Sequence, residues 1–254
     1  MSLTKIASLI PCALLLLLTA CSTNKVDPYL GDEPSYIYAK AHYNLQHGDN
    51  NDALIGYQSL DSQYPFNAYT QQGDLESIYA YYDNDNPAMS ITAASRYLKV
   101  YPSNANADYA YYMMGVVDFE NGRGFLQKYF PYTMAEHDVD NYTSAFNYFN
   151  TVVTQYPKSP YATDARRRMI YLNNTLAQYQ LNTAYFSYQK GAYVATIARA
   201  NNVLLNYPMT PQTEGALQLM IESYNALGLT DLANSTTSVL TLNFGDSASL
   251  TYTP

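Results

Sequence analysis

Apolar residues along this chain recur at intervals of three and four, and nowhere in a sustained alternation of two. Between Thr163 and Gln180, Met169, Leu172, Leu176 and Tyr179 follow a 3-4-3 spacing. That spacing puts all four on one stripe of a helix. Ala53, Tyr57 and Leu60, and again Ala145, Phe149 and Val152, mark the buried faces of two further helices. Helices are therefore expected throughout, and strands are not.

The helices come in a repeat. Tyr-Pro dipeptides stand at Tyr64-Pro65, Tyr101-Pro102, Tyr156-Pro157 and Tyr207-Pro208, with the prolines 37, 55 and 51 residues apart. The first spacing is close to the tetratricopeptide (TPR) period of about 34 residues, in which a proline closes the second helix of each pair. A unit starting at Pro34 has Ala41 at the small position of its first helix, Gly48 at the turn and Ala53 at the close contact of its second. The unit ending at Pro208 aligns Ala184, Gly191, Thr196 beside Ala195, and Val203; the last aligns Tyr224, Gly228, Ala233 and Leu240, then Gly245 in place of proline. In the second unit Tyr81 and Tyr97 fit, but Ser90 is the only small residue in register.

The long spacings have local causes. In the third unit, Tyr109 to Asn121, with Gly115, reads as the first helix and Tyr142 to Gln155 as the second, around an inserted loop from Gly122 to Asp138. In the fourth, Thr163 to Gln180 reads as an extra or extended helix with Arg166, Arg167 and Arg168 on its polar face. The expected architecture is all-α, a right-handed solenoid of about five TPR-like helix pairs over residues 34–245, with one extra helix in the fourth unit. Residues 246–254 are expected to be a short C-terminal tail.

One apolar stretch stands outside this pattern. Lys5, the run Ile6 to Leu18 and the small pair Thr19-Ala20 form a secretory signal. The run is short of the roughly 20 residues that span a bilayer. Leu18-Thr19-Ala20-Cys21 is a lipoprotein cleavage box, so residues 1–20 are expected to leave and Cys21 to carry N-acyl and S-diacylglyceryl lipid. Residues 21–33 then form a flexible tether. Cys12 and Cys21 are the only cysteines, so the mature domain forms no disulfide and packing alone must hold it. Ser22, rather than aspartate, favours the outer membrane by the enterobacterial sorting rule.

Charge narrows the partners. Residues 21–130 carry six Lys+Arg against thirteen Asp+Glu, a net of −7, and residues 131–254 carry six against eight, a net of −2. Such a surface repels phosphate backbones, which argues against nucleic acid. The chain has 29 tyrosines and no tryptophan; tyrosine suits both helix packing and extended-peptide recognition.

Catalytic patterns are missing. His42 and His47 are five apart on a helix, not the four that put two ligands on one face. There is no Gly-x-Ser-x-Gly elbow, and Gly122 and Gly124 lack both a third glycine and a preceding strand. Neither enzyme nor cofactor is expected; a groove-forming solenoid points to protein binding.

Several runs carry a family resemblance: Tyr156-Pro157-Lys158-Ser159-Pro160-Tyr161-Ala162-Thr163-Asp164-Ala165, Gly191-Ala192-Tyr193-Val194-Ala195, Tyr111-Tyr112-Met113-Met114-Gly115, and Leu204-Leu205-Asn206-Tyr207-Pro208-Met209-Thr210-Pro211. With the lipobox, they make the chain resemble the BamD family of lipoproteins of the β-barrel assembly (BAM) machine. The resemblance implies a scaffold, facing the periplasm, whose C-terminal units contact the periplasmic POTRA domain of BamA and which sits beside other BAM lipoproteins. Its N-terminal units would receive unfolded outer-membrane protein precursors. Arg199, in Ala198-Arg199-Ala200, matches a family arginine that pairs with an acidic residue of BamA. It is also the only cation after Lys190. Tyr193 stands where the family commonly has tryptophan, and the inserted loop, with His137-Asp138-Val139-Asp140, has little positive charge. Tyr36, Tyr43, Tyr79 and Tyr82 are candidates for the aromatic surface of the N-terminal groove. A periplasmic TPR lipoprotein coordinating cell-wall synthesis or division is the alternative reading.

Overall fold

A computed structural model describes residues 26–122, 139–245, 249 and 251–252. Among them are ten helices and no strand: α1 (Pro34–Gln46), α2 (Asn50–Gln63), α3 (Ala68–Asp83), α4 (Pro87–Val100), α5 (Ala107–Gly122), α6 (Val139–Gln155), α7 (Ala162–Gln189), α8 (Tyr193–Asn206), α9 (Gln212–Ala226) and α10 (Thr230–Phe244). Each packs on the next as five antiparallel pairs, and first helices also touch across units: α1 on α3, α3 on α5, α7 on α9.

Two kinds of turn make the repeat. Within a pair, the second residue past the first helix takes a positive φ: Gly48 at 80°, Gly191 at 70° and Gly228 at 71°. The next N–H then bonds back five residues, Asp49 to Asn44 O at 2.9 Å, Ala192 to Ser187 O at 3.0 Å and Leu229 to Tyr224 O at 2.9 Å. This is the Schellman closure, which favours glycine because a Cβ crowds the left-handed conformation. In the second unit Asp85 takes that place, at φ 52°, and Asn86 N–H bonds Tyr81 O at 3.0 Å.

Between pairs, Tyr64, Tyr101, Tyr156 and Tyr207 each end a helix with an N–H bond of 2.8–3.0 Å to the carbonyl four residues back. The proline that follows disfavours helix at the tyrosine before it. Each tyrosine carbonyl then accepts a bond from three residues on, at Asn67, Asn104, Ser159 and Thr210.

The core runs along the stack as a series of clusters. Ile37, Ala41, Ala53, Tyr57 and Leu60 fill unit one; Ile78, Ala94, Tyr97, Met113 and Met114 join units two and three. Phe149, Val152, Ala165 and Leu172 join three and four; Leu181, Ala184, Val203 and Leu219 join four and five. Burying each large apolar side chain contributes about 1.5–3 kcal/mol. Close crossings need small residues. A Cβ at Gly56 would lie 2.7 Å from Ala41 Cβ, and one at Gly115 would lie 2.6 Å from the Phe149 ring.

Of the two readings left open for the fourth unit, an extra or an extended helix, the structure has the extended one. There is no separate extra helix: α7 is one continuous helix of 28 residues. No glycine or proline occurs between Thr163 and Gln189, so nothing in the stretch stops it. Its arginines also divide. Arg166 and Arg167 are exposed, whereas Arg168 leaves the solvated face. Arg168 Nε bonds Asp164 Oδ2 at 2.6 Å, and its guanidinium lies 4.9 Å over the Phe119 ring. The signal, Cys21 and the inserted loop from 123 to 138 lie outside the described residues.

Candidate peptide-binding groove

First helices of units one to three and the loops beside them enclose a cavity of 570 Å³. His42 and Leu45 come from α1, Gln72, Glu76 and Tyr79 from α3, and Asp108 and Tyr109 from α5; Tyr161, which caps α7, closes the far side. The rings form a chain: Tyr109 and Tyr161 lie 5.6 Å apart, and Tyr161 stacks on Tyr112 at 4.8 Å.

Glu76 is the polar centre of this wall. It accepts hydrogen bonds from Tyr38 Oη at 2.7 Å, Tyr57 Oη at 2.5 Å and Gln72 Nε2 at 3.0 Å, and His42 Nδ1 lies 2.8 Å away. Burial alone would raise its pKa, but donors from Tyr57, Gln72, His42 and Tyr38 outweigh burial and hold it below its ordinary value. Burial, then the bond to Glu76, pushes both Tyr57 and Tyr38 well above the ordinary phenol range. One carboxylate thus ties α1, α2 and α3 together.

Behind this wall, Arg96 of α4 bridges two carboxylates, with Nη1 at 2.6 Å from Asp61 Oδ2 and Nη2 bonded to Asp74. Tyr101 Oη donates to Asp74 at 3.2 Å. Burial raises the Asp74 pKa despite Arg96.

The predicted aromatic residues scatter. Tyr79 lines the groove. Tyr82, on the same helix, is half-buried against the two core clusters that join units two to four and does not line it. Tyr36 and Tyr43 are exposed on α1 away from the cavity, and Tyr43 stacks on His47 at 3.9 Å. Sequence reasoning missed Tyr109, Tyr161 and Glu76. Tyr161 sits inside a run quoted for family resemblance, which was its only signal.

Tyr193 and Arg199 lie at the other end, on α8. Tyr193 opens that helix, 5.7 Å from Tyr188, and with Val194, Ala198 and Leu227 borders an apolar hollow. Arg199 is exposed one position beyond Ala198. Among the described residues no cluster of His, Cys, Asp and Glu could hold a metal, and no helix is long and apolar enough to cross a membrane.

Five helix pairs closed by recurrent Schellman and Tyr-Pro turns, with a groove lined by first helices, define a helical-repeat protein of the tetratricopeptide type. The chain belongs to the YfiO family of outer membrane lipoproteins, whose family model matches residues 31–240. It is 36% identical over 227 residues to the outer membrane protein assembly factor BamD of Vibrio cholerae, covering 89% of this chain and 94% of that protein. It is 32% identical to BamD of Xylella fastidiosa, covering 92% and 80%, and 32% identical to BamD of Neisseria meningitidis serogroup A, covering 85% and 81%. Among solved structures, it is similar to TPR-like repeats of a putative kinesin light chain from Podosopora anserina, with a TM-score of 0.41, 10% identity, and 84% of this chain and 99% of that chain covered.

Proposed function

We propose that the protein is a non-catalytic scaffold of the β-barrel assembly complex, tethered to the outer membrane by lipid on Cys21 and facing the periplasm. The observation that carries this reading is similarity over most of the length: relatives named as assembly factors align with 80–94% of their length, and the family model, over residues 31–240, reaches every helix pair. On this reading the C-terminal units bind the periplasmic domain of BamA through Arg199 and the hollow beside Tyr193. The groove of Tyr79, Tyr109 and Tyr161 receives extended segments of unfolded barrel precursors. Its chemistry supports that role: aromatic faces contact side chains, Asp108 offers an acceptor to backbone N–H groups and cationic side chains, and Glu76 holds the wall in place.

Co-purification with the BamA periplasmic domain tests the reading. The wild-type chain should retain that domain, and Arg199→Glu should weaken retention on the order of tenfold, because it places like charges together. Retention unchanged by Arg199→Glu would remove the assigned contact. No retention at micromolar concentration would remove the function.

A further inference from the structure

The segment expected to be a plain tail is seated in a groove of its own. Residues 249 and 251–252 lie on the first helices of units four and five, α7 and α9. The Tyr252 ring rests on Gly215, where a Cβ would come within 2.7 Å of it, and meets Tyr185 edge-on at 5.2 Å. Main-chain groups are read as well. Tyr252 N–H donates to Glu222 Oε1 at 2.8 Å, and Gln218 Nε2 donates to Ser249 O at 2.9 Å. Helix side chains therefore hold this segment by its backbone, while a glycine provides the seat for its ring. That is how a helical-repeat groove takes a peptide.

The tail does not fill the groove. A cavity of 450 Å³ remains beside it, bounded by Gln178, Leu181, Gln212 and Glu214. Gln212 donates through Nε2 to Gln178 Oε1 at 3.0 Å, but its own Oε1 is buried without a partner. A buried acceptor left unpaired costs about 1–3 kcal/mol, so the resting arrangement of this groove is incompletely satisfied.

We propose that this groove is a second peptide site, specific for segments of other polypeptides that place a tyrosine on Gly215 as Tyr252 does, and that the chain's own tail occupies it at rest. A tethered occupant acts at an effective concentration on the order of millimolar. A free segment must displace it, so the tail sets a threshold for binding.

The test uses the mature chain with Cys21→Ser and a fluorescein-labelled peptide of residues 249–254, read by polarisation. Tyr252→Ala should raise the apparent affinity for the peptide at least about tenfold over the wild-type tail, since it frees the site. Adding Gly215→Ala to that variant should return binding to the wild-type level, because the methyl group takes the ring's seat; alanine also favours the helix, so α9 stays folded. A peptide with alanine for tyrosine should not bind. No gain from Tyr252→Ala, or a gain that survives Gly215→Ala, overturns the proposal. Should Tyr252→Ala unfold in a thermal melt, a spin label on Thr251→Cys in the otherwise wild-type tail decides instead: excess peptide must mobilise it, and an unchanged spectrum refutes displacement. No BamA fragment enters this assay, so its result is separate from that of the co-purification.

Discussion

Glu76 takes four polar neighbours from two other helices and its own, and only 14% of its side chain is exposed. Glu76→Gln puts an amide NH₂ where donors converge, and should cost on the order of 1–3 kcal/mol in urea unfolding. The sign of its pH dependence follows from its lowered pKa. Its contribution is full above the ordinary value of 4.5 and is lost as pH falls through the lower folded value. Asp74 works the other way: its raised pKa means that the charged form is a cost above the ordinary value of 3.8, relieved on acidification. Stability of Glu76→Gln should therefore fall less steeply below pH 4.5 than that of the wild type. Parallel curves would show that Glu76 does not carry this linkage. Little of the cluster is legible in the sequence. Tyr38, Tyr57 and Glu76 are spread over three helices, and helical periodicity says which face a residue takes, not which faces meet. Tyr79 could be picked for its place on a first helix; Tyr109 and Tyr161 meet only after the third pair has folded.

At the scale of elements the turns were the most legible part, because they depend on backbone conformation that few residues tolerate. Gly48, Gly191 and Gly228 mark three of the Schellman closures, and the four Tyr-Pro dipeptides mark the other ends. The second unit was harder to see because Asp85 stands in the glycine position. Asp85 is exposed, with φ 52°. Asp85→Gly removes the left-handed penalty and should stabilise the chain by roughly 0.5–1 kcal/mol, net of the added unfolded-state entropy. A lower thermal midpoint would mean that the aspartate is favoured there for a reason other than its backbone. The fourth unit shows what spacing misses: a surplus of residues between two markers says that something is inserted, not whether it starts a new helix or lengthens an old one.

For the whole molecule, stability is shared among neighbours, since three of the clusters each join one pair to the next and no cluster of described residues spans both ends of the stack. None of these clusters of described residues includes Cys21, the residue proposed above to carry lipid. Cys21→Ser should fold with an unchanged melting curve and bind the same partners, but fractionate away from membranes. Membrane retention of that variant would show that the anchor lies elsewhere.

Helix α7 also sets a length. Tyr161 at its start closes the first groove, and Leu181, twenty residues on, borders the second. At 1.5 Å per residue an unbroken helix holds these points about 30 Å apart. An extended chain advances about 3.3 Å per residue, so a polypeptide anchored in both grooves needs at least about nine residues between its anchors. With both proposed sites occupied the helix acts as a ruler, and segments shorter than that span must choose one groove or the other.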